Sequence, residues 1–232
     1  MKHLTLIAAI SLVALSGCDS AEEIQTPVPE STVTEQSMPD NAVELVAPDS
    51  QDPADLIASA IKLGNFKTLT VTPDGDVIGK PINPSLADGW KRVSVSGARV
   101  IDGDTVEVKY ADGRESDRVR LIGIDAPESK QKFGDVSKST LEECIGDKPV
   151  TITYKEIDKY GRLLGKVFAG STDCNYRQMV AGSAWHYKQY ANGQPNDDAD
   201  IYADAEKVAQ LLNQGLWSDI NAQEPWSFRK EN

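Results

Sequence analysis

Five short stretches between Arg92 and Ala169 alternate apolar and polar residues: Arg92 to Ile101, Thr105 to Tyr110, Arg118 to Ile122, Val150 to Lys155 and Leu163 to Ala169. A period of two marks strands with one buried face, and the Ala111-Asp112-Gly113 turn between the second and third predicts a hairpin. A helical pattern from Asp135 to about Cys144 separates the third stretch from the fourth, with Asp135 placed to cap it and Gly146 to close it. Two more helices are expected at about Asn175 to Ala181 and about Asp200 to Asn213, with a long loop, Gln189 to Asp198, before the second. In that last helix Ile201, Ala205, Val208 and Leu212 step along one face before Gly215 ends it. This order predicts an α+β, mainly β, domain over residues 89–218: a five-stranded Greek-key barrel of the OB type with about three helices. Residues 219–232 then form a C-terminal tail, whose Trp226 and Phe228 are expected to pack on the domain surface.

The chain before this domain reads differently. Lys2 and His3 precede an apolar run from Leu4 to Leu15, long enough for a signal peptide but too short to span a bilayer core of roughly 30 Å. It ends in Leu15-Ser16-Gly17-Cys18, which resembles the bacterial lipobox. The resemblance implies cleavage after residue 17 and lipidation of Cys18, and Asp19 looks like an inner-membrane retention signal, so the expected location is the periplasmic face of the inner membrane. Residues 18–50 are rich in Glu, Pro, Thr, Ser and Gln, with too little apolar surface to offset their ordering entropy, and read as a flexible acidic tether. Residues 51–88 read as a small extension: a helix after Asp52-Pro53 and a hairpin around Pro73-Asp74-Gly75-Asp76. No chemistry is assigned to it.

Net charge bears on the partner. The chain carries a formal charge of −12, which at first disfavours a polyanion. Residues 19–90 hold 13 acids against 3 lysines, however, while residues 91–232 hold 23 acids against 20 lysines and arginines. The predicted barrel domain is therefore close to balance, and a local basic cleft is compatible with it. In an exported chain the two remaining cysteines, Cys144 and Cys174, are expected to form a disulfide, with two buried thiols as the alternative.

Several polar residues are not needed by a barrel. Asp102 and Asp104 flank Gly103 inside Arg99-Val100-Ile101-Asp102-Gly103-Asp104-Thr105-Val106; Arg120 interrupts the apolar Val119-Arg120-Leu121-Ile122; Asp125-Ala126-Pro127-Glu128 follows; Asp158-Lys159-Tyr160-Gly161-Arg162 opens the fifth strand. Singly, each reads as a turn or a cap. Together and in this order VIDGDTV, RLIGIDAPE and DKYGR, closed by Gly215-Leu216-Trp217-Ser218, resemble the staphylococcal nuclease (thermonuclease) family over about residues 93–218. The resemblance implies an OB-fold nuclease that cleaves DNA and RNA with calcium, breaking the 5′ P–O bond and leaving 3′-phosphate ends.

What the resemblance implies for each residue is specific. Asp104, Asp125 and the carbonyl of Ala126 are the expected metal ligands, with Asp102 supporting them. The family's best-known member has threonine where Ala126 stands, and a backbone ligand tolerates that change. Glu128 is the expected general base, Arg120 and Arg162 the phosphate clamps, and Lys159 and Tyr160 contacts to a terminal phosphate. Simple chemistry agrees. Phosphodiester cleavage needs cations on the phosphate, an activated water and rigid placement, Ca²⁺ accepts carboxylate and carbonyl oxygens in flexible geometry, and guanidinium forks bind two oxygens while staying charged.

Near the barrel, Tyr187 and Tyr190 are candidates to stack on bases, whereas Trp185 reads as core and His186 as structural. The partners expected are DNA, RNA or both as substrate and the membrane through the lipid anchor; no protein partner is inferred. The rival class is a non-catalytic OB-fold module of the cell envelope that binds nucleic acid or protein, against which the retention of Asp104, Arg120, Asp125, Glu128 and Arg162 argues.

Overall fold

The computed structural model describes residues 52–62, 66–71, 77–80, 86–195 and 197–232; the signal peptide, Cys18, the tether and the Pro73–Asp76 turn lie outside these. No described helix is long and apolar enough to cross a membrane. The extension supplies helix α1 (Pro53–Lys62) and an antiparallel pair, β1 (Leu69–Val71) with β2 (Val77–Gly79). The domain follows with β3 (Lys91–Val95), β4 (Gly97–Asp102), β5 (Thr105–Lys109), β6 (Asp117–Leu121), the two-residue β7 (Ile124–Asp125), α2 (Gly134–Ile145), β8 (Val150–Ile157), β9 (Leu163–Ala169), β10 (Thr172–Asp173), α3 (Cys174–Val180), β11 (Trp185–His186), α4 (Asp198–Leu211) and α5 (Pro225–Glu231).

The architecture is mixed α+β and dominated by strands. Its main sheet runs β3-β8-β9-β6-β5-β4, and β10 pairs with β9. The two ends of that path, β3 and β4, are halves of one run of chain parted only by Ser96. The first half pairs with β8 and the second with β5, so the chain itself links the open ends of a five-stranded OB-like barrel. The parallel contact of β6 with β9 is what carries the sheet around, because α2 and β8 intervene between them in sequence. Val106, Val108, Val119, Leu121, Ile152 and Val167 are wholly buried inside, and Leu141 of α2 and Met179 of α3 cap the core.

The alternation-based strand assignments agree with the sheet to within a residue or two, but several local expectations fail. Asp135 does not cap α2. The helix starts at Gly134 after Phe133, whose φ is 68°, with no side-chain cap, because a tight turn over residues 128–134 delivers the chain and a Cβ on Gly134 would lie 2.2 Å from the Glu128 carbonyl. Gly146 does occupy the C-cap position of α2. Asn213, with φ 49°, takes the left-handed position that ends α4, not Gly215. The Gln189 to Asp198 loop contains a 3-10 helix, Lys188–Gly193, and the tail forms α5.

The extension docks on α4 through one carboxylate. Asp204 Oδ2 accepts from the Lys67 amide at 2.8 Å, the Thr68 amide at 2.6 Å and the Thr68 hydroxyl at 2.7 Å, and Lys67 Nζ meets Asp200 at 2.7 Å. Cys144 at the end of α2 is joined to Cys174 at the start of α3, with Cα atoms 5.8 Å apart. Closing a loop of 30 residues restricts the unfolded chain by about 3–4 kcal/mol. Titration of the denatured protein without reductant is therefore expected to find no free thiol at these positions, and Cys144→Ala with Cys174→Ala to lower the melting temperature; two titratable thiols would remove the bridge.

Candidate active site

The carboxylates come together through a flaw in a ladder. Val100 pairs with Val106 but Asp102 with Thr105, so Ile101 is an extra residue in β4, and this bulge re-aims Asp102 at the turn. Asp102 Oδ1 accepts from the Asp104 amide at 3.1 Å, which shapes the turn. Gly103 is required here by close approach: a Cβ would lie 1.9 Å from Ser137 Oγ and 2.7 Å from Ala126 Cβ. Gln178 of α3, wholly buried, donates to the Gly103 carbonyl at 2.5 Å and the Ser137 carbonyl at 2.9 Å, so one side chain ties this turn to α2.

Asp104 is 7% exposed and Asp125 is 0% exposed. Asp104 Oδ2 accepts from the Ala126 amide at 2.7 Å, and Oδ1 from the Thr105 hydroxyl at 3.1 Å. Burial pushes the Asp104 carboxyl up to about 7; Arg120 opposes the rise while Asp102 and Asp125 add to it. Asp125 owes its place to β7, which pairs with β11 through Trp185↔Asp125 and His186↔Ile124.

Arg120 joins the two acids. Its Nη2 is 2.7 Å from Asp125 Oδ1 and 3.0 Å from Asp104 Oδ2, and its Nη1 donates to the carbonyls of Leu121 at 2.8 Å and Ile124 at 2.9 Å. The strand after Val119 thus holds its guanidinium rigidly by backbone acceptors. Arg162 immediately precedes the neighbouring strand, β9, one residue before the Leu163 that pairs with Val119. It bonds Asp158 through Nε at 2.8 Å, and with Tyr160 and Arg118 it lines a cleft of about 580 Å³. Lys159 Nζ lies 5.0 Å and the Arg162 guanidinium 5.5 Å from the centre of the Tyr160 ring, which is 72% exposed. Arg162, Lys159 and Tyr160 therefore form a cationic and aromatic group of their own, in the turn between β8 and β9, the latter being the strand beside the one that carries Arg120.

Glu128 follows Ala126-Pro127 in the loop that leads to α2. Its Oε1 accepts from Arg229 at 2.7 Å. The same guanidinium donates to both oxygens of Asp125, at 3.1 and 2.6 Å. Arg229 of α5 and Gln178 are the two residues of the site that sequence reasoning missed. The tail carried no motif, although a basic residue beside Trp226 and Phe228 was the available signal. Of the aromatics, Tyr187 lies beside the site: burial first, then Asp125 and Tyr190, raise its hydroxyl, and its ring is 4.9 Å from that of Tyr190, which is 57% exposed. Trp185 packs edge-on against Trp217 at 4.3 Å. His186 is buried, its ring bonds Gln194 at 3.0 Å, its amide donates to Glu206 Oε1 at 2.8 Å, and burial holds its pKa below the ordinary value. Among the described residues no three His, Cys, Asp or Glu side chains converge as a ready-made metal cage.

Chemically, the arrangement presents two buried carboxylates joined by Arg120, a third carboxylate, Glu128, joined to Asp125 by Arg229, and a further guanidinium, Arg162, at the start of the strand beside Arg120. Comparison with known proteins agrees with that inventory. The family described as staphylococcal nuclease homologue matches residues 118–219. A micrococcal nuclease of Shigella flexneri is 43% identical over 150 residues, 61% of this chain and 83% of that protein. A protein of Escherichia coli O157:H7 named as an uncharacterized endonuclease is 41% identical over 132 residues, 56% of this chain and 81% of its own length. Another of that name from Haemophilus influenzae is 38% identical over 133 residues, covering 57% and 71%. The chain belongs to the staphylococcal nuclease family, and it is a nuclease, a hydrolase of nucleic acid.

Proposed function

We propose that this nuclease is calcium-dependent, that it cuts DNA and RNA endonucleolytically to leave 3′-phosphate ends, and that Asp104, Asp125 and the carbonyl of Ala126 hold the metal. The observation that carries the reading is the burial of Asp104 and Asp125 around one side of Arg120. Burial above all, and then the neighbouring Asp102 and Asp125 charges, raise the Asp104 carboxyl, and a hard divalent cation with oxygen ligands and waters answers both the burial and the repulsion. The metal would supply charge to the phosphate and lower the pKa of a water. Few charged ligands imply weak binding, which fits an exported protein meeting abundant calcium.

The roles of the chain's own residues follow. Arg120, once its carboxylate partners are neutralised, turns a rigid guanidinium toward the phosphate, and Arg162 binds the same group from the neighbouring strand. Glu128 takes the proton of the attacking water, for which its exposed loop position leaves room. Lys159 and Tyr160 hold a further phosphate, and Tyr187 and Tyr190 stack on bases. Cys18, in its lipobox setting, anchors the protein to the periplasmic face of the inner membrane.

The test uses the soluble chain from residue 19 with single-stranded DNA and RNA in calcium, in EGTA, and with Glu128→Gln. Calcium-dependent cleavage that falls by about 10²–10⁴-fold in the variant is the expected result; tight binding without cleavage would make the chain a binding module. A second outcome follows from Asp104. A carboxyl raised from 3.8 to about 7 holds its proton more tightly folded than unfolded, so stability from this group is present at low pH and lost as pH rises through that window. The metal-free protein should lose melting temperature as pH rises from about 4 to about 7, calcium should restore it, and Asp104→Asn should flatten the slope and abolish cleavage. An unchanged slope in Asp104→Asn would sink this account. In cells, Cys18→Ala should move the protein from the membrane fraction to the soluble one.

A further inference from the structure

The last helix lies on the site. Arg229 puts Nη2 2.6 Å from Asp125 Oδ2, and Nη1 3.1 Å from Asp125 Oδ1 and 2.7 Å from Glu128 Oε1. With Arg120 already on Oδ1, both oxygens of Asp125 are taken by guanidinium donors. Trp226, three residues earlier and hence on the same face of the helix, stacks on Tyr187 with ring centres 5.5 Å apart and planes 11° from parallel, and meets Trp185 edge-on at 5.9 Å. The segment leading to α5 is pinned to the Glu128 loop: Gln131 Nε2 donates to the Gln223 carbonyl at 2.5 Å, and Lys132 Nζ meets Asp219 at 2.7 Å.

We propose that α5 is an autoinhibitory strap, whose Arg229 occupies the carboxylates of Asp125 and Glu128 in the place of a metal ion and its water, and whose Trp226 occupies the face of Tyr187 in the place of a base. This rests on the reading of Asp125 as metal ligand and Glu128 as base. A calcium ion needs an Asp125 oxygen at about 2.3–2.6 Å. The lone pairs that would reach it point at Arg229, and a guanidinium and a divalent cation on one carboxylate repel each other. Strap and metal are therefore antagonists, and each must weaken the other by the same factor. The strap is suited to release. A seven-residue helix has little stability of its own, and its arginine is 41% exposed, so docking depends on a handful of contacts that substrate and metal can replace.

Calcium titration of the soluble chain by calorimetry separates the outcomes, with wild type, Arg229→Gln, Trp226→Ala and Asp125→Asn. Arg229→Gln should bind calcium at least about 5-fold more tightly, within the usual range of intramolecular coupling. Deleting a positive charge near the metal raises affinity by itself, so Trp226→Ala is the decisive variant: it leaves every charge in place, and its affinity should also rise. Calcium should also speed proteolytic cutting of residues 219–224 in the wild type. Unchanged affinity in Trp226→Ala, or equal affinity in wild type and Arg229→Gln, overturns the strap alone. Absence of calcium binding in every protein overturns the strap together with the metal reading beneath it.

Discussion

A guanidinium set between two buried carboxylates is the interaction on which the rest of this molecule turns. An uncompensated buried charge costs several kcal/mol, and Asp104 and Asp125 lie too close for either to help the other. Arg120 compensates both at once, and the Leu121 and Ile124 carbonyls hold its guanidinium alongside the acids. The barrel exists around this arrangement in a literal sense. β6 carries Arg120, the bulged turn from β4 to β5 carries Asp104, and the short β7–β11 pair carries Asp125, so three separate ladders must close before the charges meet.

Pairing leaves the site under-neutralised. Asp102, Asp104, Asp125 and Glu128 outnumber Arg120, and the remaining charge can be met in two ways, by a cation from solution or by one from the chain. The structure uses the second, through Arg229. That choice draws the C-terminal helix, the Glu128 loop and the aromatic wall of Trp185 and Tyr187 into one cooperative patch. On α4 the acids serve a different end: Asp204 gathers the extension onto the helix through three bonds. Rigid support is thus concentrated in the barrel and α2–α4, and the replaceable contacts at the tail.

Much of the fold was legible because alternation reports which face of a strand is buried, and that face is set by neighbours on the same strand. The candidate site was legible where its residues sit inside short motifs. Asp102, Asp104, Arg120, Asp125 and Glu128 were all named from sequence, and the structure brings Asp104, Arg120 and Asp125 into direct contact, with Asp102 in the same turn and Glu128 joined through Arg229. Arg162, Lys159 and Tyr160 stand as a separate group in the turn between β8 and β9. The caps of α2 and α4 were misread for one reason. Turn residues such as Asp135 and Gly215 advertise a local preference, yet the turn that feeds α2 is dictated by how closely Gly134 must pass the Glu128 carbonyl.

By itself the sequence determined the strands as they follow one another along the chain, the helix between the third and fourth of them, and the set of acids and arginines that a barrel does not need. Those follow from periodicity and from residue type, which are local. Only the tertiary structure decided that Gln178, 75 residues from Gly103, holds the acidic turn, and that Arg229, 104 residues from Asp125, lies on the Asp125 carboxylate. Contacts at such separations leave no periodic trace in a single chain, because nothing in either segment alone reveals which buried charge it must meet.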